Sequence, residues 1–401
     1  MNSSKYGLLN SFNTTALQNL VTALQRAHDI SLIFFNSLDD EKKQFPVLDN
    51  LNPPLWEISH VAWFHEFWMH RRGNQDTESM LINSDSFFNS SLVAHDSRWT
   101  LPTPSESTLL NYFTQVNEKT IDYLKQAQAK GTLTEEDLYF AYLCLSHHNM
   151  HNEAFAYTFQ FLGYPCPQLS ELMPDLLGEL NPSFNHQGFV KKDLIIDMCQ
   201  VELGSKPGQG FIFDNEKWAH WVSLGAFAIS NTAVTNEEYL EYLTEMLRVD
   251  PAFDSPPYWQ LQGGGSTWME RHFDTWSPLD MKRPVRHISK HAAQGFARWA
   301  GRRLPSEAEL VRLYSEDKSL WQASNLWEWT DSFFNPFEGF TADPYADYSK
   351  PWFGNDYVVM KGFSAWTSPE LRRTQFRNFY NPSRYDPFCG FRTCVIKKQL
   401  R

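Results

Sequence analysis

The sequence predicts an α + (α+β) protein, with a four-helix bundle over residues 1–170 followed by an irregular α+β domain over 171–401. Three observations predict this. The chain has 401 residues, more than one ordinary domain accommodates. Its first part carries four long stretches that read as helices, from apolar spacing and from start and stop signals. After Asn181-Pro182-Ser183 the texture changes to glycines, turns and short β-like runs, which cannot bury their backbone as a simple bundle does. The junction falls within 165–195.

The elements follow in order. Leu17, Leu20, Val21 and Leu24 recur at three- and four-residue spacing, with Ile30, Leu32 and Ile33 further on, and define helix one. Helix two starts after Asn52-Pro53-Pro54, because proline suits a first helical turn, and is expected over 55–71. Helix three covers 105–129 and is stopped by Gly131. Helix four follows the acidic turn Thr134-Glu135-Glu136-Asp137 and runs to 162, where Gly163-Tyr164-Pro165 ends it. Four such helices in so short a span suit an antiparallel bundle. The second half is expected to hold strands at 194–201, 210–213 and 227–229, and helices at 236–246 and 291–300.

Composition narrows the function classes. With 15 Trp, 16 Tyr and 31 Phe, the chain is far too aromatic for a disordered tail. A net charge of 35 − 47 = −12 argues against a non-specific nucleic-acid binder. No run approaches the length of a transmembrane helix, and the first residues lack the pattern of a secretory signal. Five scattered cysteines do not form a disulfide framework. A soluble cytoplasmic protein without nucleic-acid or membrane partners is expected.

One constellation carries chemistry. His147 and His151 lie four apart within helix four and so project from one face, within reach of a single ion. His60 sits in helix two, and neighbouring helices of a bundle can aim three imidazoles at one point. Three neutral nitrogen donors with open positions suit zinc, nickel or ferrous iron. The competing reading is ordinary core histidines, and His65 and His148 stand beside the constellation without a site pattern.

These segments together resemble the non-heme iron sulfoxide synthases of ergothioneine and ovothiol biosynthesis. That family joins a DinB-like four-helix bundle to a domain like the formylglycine-generating enzyme, of C-type-lectin-like fold. The bundle motifs are similar to His60-Val-Ala-Trp63-Phe64-His-Glu66 and His147-x-x-x-His151-x-Glu153. In the second half, Phe227 to Tyr239, Pro284 to Glu309, Asn325-Leu-Trp327-Glu328-Trp329-Thr330 and Gly390-Phe391-Arg392 resemble the domain's motifs in their expected order. Formylglycine-generating enzymes hold copper with a cysteine pair near the segment equivalent to 375–380, where this chain has none; Cys389 and Cys394 read as structural.

The resemblance implies an oxidoreductase with Fe(II) held by His60, His147 and His151, O2 as co-substrate, and the second domain completing the substrate pocket. Hercynine, a trimethylated histidine, would form a C–S or C–Se bond at its imidazole C2. Tyr345 matches the family's proton or electron donor, and Tyr348 a residue that helps hold the substrate imidazole. Asn378 and Phe379 match the stretch that receives the trimethylammonium and carboxylate, and Trp366 and Trp63 are further candidate walls.

Three departures bear on the donor. Met150 stands where the ergothioneine branch has glutamine before the second helix-four histidine. Tyr380 replaces an aspartate that binds the amino group of γ-glutamylcysteine, and Arg98 is the one clear candidate for gripping a donor carboxylate. A zwitterionic dipeptide thiol would leave charge unpaired in such a pocket, whereas a neutral hydroxylated donor would not. Asn52-Pro-Pro54-Leu-Trp56-Glu57, Val93-Ala-His95-Asp96-x-Arg98-Trp99 and Met150-His151-x-Glu153-Ala154 look more like the selenoneine synthases, which use a selenosugar. The alternatives are a sulfoxide synthase using a thiol such as γ-glutamylcysteine or cysteine, and a non-catalytic or hydrolytic DinB-like metal protein.

Overall fold

The computed structural model describes residues 7–9, 12–174, 176, 190–263 and 265–396. The chain divides into two units, one of Met1–Thr158, Pro167–Pro174 and Pro207–Ile212, the other of Phe159–Cys166, Asp175–Lys206 and Phe213–Arg401. Among the described residues, no helix is long and apolar enough to cross a membrane.

The first unit is helical, and local chemistry sets its helix ends. Helix α1, Thr14–Asn36, starts where the Asn13 side chain accepts the Ala16 N–H at 2.9 Å. Helix α2, Pro54–His65, opens on a proline whose missing N–H would have had no helical partner. The short α3, Ser84–Phe88, and a 3₁₀ turn over His95–Trp99 follow; neither has a periodic signal in the sequence. Helix α4, Glu106–Lys130, ends at Gly131, whose φ of 66° is the left-handed conformation that glycine adopts without a Cβ clash. Helix α5, Glu135–Leu162, begins at a reciprocal cap: the Thr134 N–H donates to Asp137 Oδ2 at 2.8 Å, and the Asp137 N–H to Thr134 Oγ1 at 3.1 Å.

One boundary differs from the sequence reading. The second helix is not α-helical to residue 71: α2 stops at His65 and continues as a π-helical turn, Glu66–His70. Glu66 is buried there and accepts hydrogen bonds from Ser79 Oγ at 2.9 Å, the Met80 N–H at 2.7 Å and the Tyr112 hydroxyl. Periodicity alone does not register such polar anchoring. The apolar stripe of α1 (Leu17, Leu20, Leu24, Ala27, Phe34) is buried, as is that of α4 (Leu109, Phe113, Val116, Leu124). Each large apolar side chain so buried contributes about 1.5–3 kcal/mol.

The second unit contains four small sheets among its described residues. Strands β1 (Asp193–Ile196), β2 (Cys199–Leu203), β3 (His220–Leu224) and β4 (Phe227–Ser230) open it. The single strand expected at 194–201 is therefore two, parted at Asp197-Met198, and each pairs with a different partner: β1 with β4, β2 with β3. Residues 210–213 form no strand and lead instead into a 3₁₀ turn at Asp214–Glu216. Helix α6, Asn236–Val249, is closed at its start by a capping box between Thr235 and Glu238. Strands β5 (Trp259–Leu261), β6 (Trp268–His272) and β7 (Thr275–Pro278) form an antiparallel sheet. Helix α7 (Lys290–Trp299), β8 (Arg302–Arg303) and helix α8 (Glu307–Tyr314) follow, then β9 (Trp327–Phe333), β10 (Val358–Gly362), β11 (Asn378–Tyr380), β12 (Cys389–Gly390) and β13 (Cys394–Val395). They complete sheets ordered β1-β4-β13-β8 and β11-β10-β9-β12. Leu310 and Leu313 of α8 pack with Ile196, Phe227, Ile229 and Cys394, giving the first of these sheets its core.

The sequence motifs of this unit meet as buried ion pairs. Arg392 is fully buried and grips Glu328 with Nε at 2.5 Å and Nη2 at 2.7 Å, joining Gly390-Phe391-Arg392 to Trp327-Glu328-Trp329. Arg377 grips Glu307 at 2.9 and 3.1 Å, which ties the start of β11 to the first residue of α8. Bidentate pairing fixes direction as well as distance. Cys389 and Cys394 are free, buried and in different sheets; burial pushes both thiols up, Cys394 to about 12. They have the character of inert core residues.

Candidate metal centre

The structure brings His60, His147 and His151 together: one ring nitrogen of each lies within 4.8 Å of the others. His60 comes from α2, and His147 and His151 from successive turns of α5. The Nε2 atoms of His147 and His151 face each other at 3.1 Å. His148, one position on from His147, points elsewhere: its Nε2 meets Ser31 Oγ of α1 at 2.9 Å, and its ring lies edge-on to His65.

Two of the three rings have fixed tautomers. His60 Nδ1 lies 2.7 Å from the carbonyl oxygen of Phe88 in α3. A carbonyl only accepts, so Nδ1 carries the proton and Nε2 the lone pair. His151 Nδ1 donates in the same way to Glu57 Oε1 at 2.5 Å. Such outer partners orient metal-ligating histidines and raise their basicity. The rings are also walled: Trp56 stacks on His60 at 4.9 Å and 6°, and Phe64 on His147 at 3.5 Å and 5°.

Electrostatics keeps these nitrogens available. Burial, and then the neighbouring His151, pushes His60 down to about 3. His147 is held well below the ordinary histidine range, first by burial and then by the neighbouring imidazoles. Burial alone would push the Glu57 carboxyl up, but His151, His60 and Asn52 outweigh it and hold Glu57 below its ordinary value. Three converging imidazoles, two of them backed by the Glu57 carboxylate and the Phe88 carbonyl, have the donor chemistry of a divalent transition-metal site with open positions. The residues therefore fit a bound metal ion.

The remaining candidates fall as follows. Met150 is half-buried on α5, beside His151. Arg98 is half-buried, with Nη1 donating to Asn52 Oδ1 at 2.7 Å and its guanidinium 4.1 Å from the centre of the Trp56 ring. In the second unit, Tyr345 and Tyr348 lie with ring centres 6.2 Å apart, and Tyr348 reaches Phe379 at 5.7 Å. Phe379 stacks on Phe334 at 3.9 Å. Asn378, Phe379 and Tyr380 are the three residues of β11; Asn378 Oδ1 accepts the Phe379 N–H, and Arg384 covers the Tyr380 ring. Trp366 is buried, with ring contacts to Phe273 and Phe388. Burial raises the Tyr345 phenol, with help from Asp347, and burial with Glu216 and Asp214 raises the Tyr348 phenol well above its ordinary value. Both phenols are therefore protonated at neutral pH.

The sequence singled out Asn52 and Glu57 only as part of a branch likeness, with no role at the metal centre, and gave no sign of the Phe88 carbonyl. Glu57 had a signal, since it lies three residues before His60 in the same helix. A backbone carbonyl has none.

Comparison with known proteins places this architecture. Residues 182–312 and 321–397 match the sulfatase-modifying factor enzyme 1-like domain, and 23–155 match the DinB superfamily. The hercynine oxygenase of Mycolicibacterium smegmatis is 26% identical over 438 aligned positions, covering 92% of this chain and 96% of that one. Ergothioneine biosynthesis protein 1 of Schizosaccharomyces pombe is 26% identical over 203 positions, 42% of this chain and 26% of its own. The formylglycine-generating enzyme of Streptomyces coelicolor is 31% identical over 133 positions, 27% of this chain and 42% of its own. Fold and site together define a bundle-plus-sheet enzyme with a three-imidazole cluster, two of its rings buried and the third partly so. The chain belongs to the family of the sulfatase-modifying factor enzyme 1-like domain, and in joining it to a DinB superfamily bundle it is an oxidoreductase of the ergothioneine-type sulfoxide synthases.

Proposed function

We propose that the chain is an Fe(II)- and O2-dependent enzyme that joins a selenium or sulfur donor to the imidazole C2 of hercynine, and that its donor is a selenosugar. The observation that carries the metal reading is the convergence of His60, His147 and His151, with Nδ1 of two rings committed to Phe88 and Glu57. Iron, when bound, supplies the redox chemistry that couples O2 reduction to oxidation of the donor and the imidazole. The protein's part is to orient and to manage protons. Tyr345 is assigned the proton delivered during that oxidation, and Tyr348 the substrate imidazole. Asn378 and Phe379 are assigned the cationic trimethylammonium and its carboxylate; an aromatic face suits a charge that no hydrogen bond can satisfy. Trp366 is assigned a supporting wall.

The choice of hercynine draws on the relatives named hercynine oxygenase. The choice of donor rests on Met150 and Tyr380, which stand where a zwitterionic thiol would need an amide and an acid. A sulfur donor is the second reading, favoured by the relative named for ergothioneine biosynthesis. The test is aerobic incubation of iron-loaded protein and hercynine with selenosugar, thiosugar, cysteine or γ-glutamylcysteine in turn, with mass spectrometry of the adducts. The expected result is the selenosugar adduct in excess. Preference for γ-glutamylcysteine would overturn the donor assignment, and no hercynine adduct with any donor would overturn the reaction.

A further inference from the structure

We infer that Arg98 is a positioning residue for the metal ligands, acting on His151 through Asn52 and Glu57 and on His60 through Trp56, and is not a grip for the donor. This deepens the metal-centre reading and rests on it. The first branch is continuous. Arg98 Nη1 donates to Asn52 Oδ1 at 2.7 Å, Asn52 Nδ2 donates to Glu57 Oε2 at 2.6 Å, and Glu57 Oε1 accepts from His151 Nδ1 at 2.5 Å. Both Glu57 oxygens are thereby committed, and the Asn52 amide is oriented by a donor on one side and an acceptor on the other. Nothing in this branch can rotate without breaking a hydrogen bond. The second branch is made of ring faces: the guanidinium lies 4.1 Å from the centre of Trp56, and Trp56 stacks on His60.

The segment that carries Arg98 is itself pinned to the loop that carries Asn52. His95 Nε2 donates to the Leu51 carbonyl at 2.8 Å, and Trp99 Nε1 to the Phe45 carbonyl at 2.8 Å. The 3₁₀ turn at His95–Trp99 thus acts as a clamp over the entry to α2, with Arg98 as its inward contact. A carboxylate grip would need the guanidinium fork. Here Nη1 is held by Asn52, Nη2 reaches the Val93 carbonyl at 3.4 Å, the face lies on Trp56, and Nε is buried without a partner among the described residues, so no pair of N–H groups is presented as an open fork.

The test uses the full-length protein, stripped of metal and titrated anaerobically with Co²⁺ against a competing chelator. Cobalt reports both affinity and, through its visible absorption per bound ion, ligand geometry. Loss of an outer-sphere partner typically weakens metal binding about 10–100-fold. Arg98→Met and Glu57→Gln are each expected to weaken Co²⁺ binding at least tenfold and to alter the band shape. Arg98→Lys, which keeps the charge but loses the planar fork, is expected to recover only part of the loss. Lys125→Ala, on the exposed side of α4, is expected to match wild type. Because the spectrum is read per bound ion, an unfolded fraction that binds no Co²⁺ lowers the stoichiometry and leaves the band shape unchanged. An Arg98→Met variant with unchanged Co²⁺ affinity and spectrum but a raised KM for the donor would overturn the inference and return Arg98 to the donor pocket. A wild-type protein that takes up no Co²⁺ would instead overturn the metal centre itself.

Discussion

Single side chains do distinguishable work around the histidine cluster. Trp63 packs on His60 and donates its indole N–H to Asp85 Oδ1 at 2.6 Å, while Arg71 grips the same carboxylate at 2.8 and 2.7 Å. Burial would raise the Asp85 carboxyl, but these donors outweigh it and hold it below its ordinary 3.8. A lowered folded value means that the stabilisation is present above the unfolded range and is lost as pH falls through the folded one. Asp85→Asn is therefore expected to cost about 2–3 kcal/mol at pH 7, with the gap to wild type closing below about pH 4. Denaturant titrations between pH 3 and 7 check this; a gap independent of pH would contradict it. Tyr345→Phe removes the phenolic proton but keeps the ring. It is expected to leave hercynine binding within about twofold while slowing adduct formation 10²-fold or more, or diverting it to oxidation of the donor alone, as loss of a positioned proton donor does. An unchanged product distribution at an unchanged rate would remove Tyr345 from the chemistry.

Elements are set by motifs whose meaning is structural. Glu328 on β9 and Arg392 between β12 and β13 satisfy each other in a fully buried pair, and Glu328 also accepts from Ser324. Glu328→Gln leaves the guanidinium without its counter-charge and is expected to destabilise the protein by about 3–5 kcal/mol. Gly390 is required for space: a Cβ there would lie 2.6 Å from the Val285 carbonyl oxygen and 2.8 Å from Leu326 Cδ1. Gly390→Ala is expected to lower the melting temperature by several degrees without changing metal uptake; unaltered melting would show that the strand shifts freely. Helices α1 and α4 were legible because their burial follows the 3.6-residue period, whereas α2 and α5, buried nearly all round, were legible from Pro54 and the Thr134 turn at their starts. The π turn after His65, the break at Asp197-Met198 and the loop at 210–213 were not. Each depends on a partner distant in sequence, such as Tyr112 for Glu66, and local spacing holds no trace of it.

At the scale of the whole molecule, the aromatic surplus finds two uses. Part of it fills cores, as Phe34, Phe113, Phe227 and Trp329 do. Another part lies against the candidate site residues, with Trp56, Trp63 and Phe64 on the histidine rings, Phe213 and Phe379 against Tyr348, and Phe334 stacked on Phe379. The three candidate ligands were readable from the spacing of His147 and His151 plus one histidine on another helix. Of their outer partners only Glu57 had a signal, in its place three residues before His60; a backbone carbonyl has no sequence signature, and Asn52 acts only through Glu57. The central claim is that these imidazoles hold one metal ion. Its most direct test is anaerobic Fe²⁺ uptake by the full-length protein and its His60→Ala, His147→Ala and His151→Ala variants, with circular dichroism alongside. One equivalent bound by wild type and none by the variants, all retaining their helical signal, is the expected result. Equal uptake by wild type and all three variants, or unfolding of each variant before any metal is added, would contradict the claim and leave the three histidines as core residues.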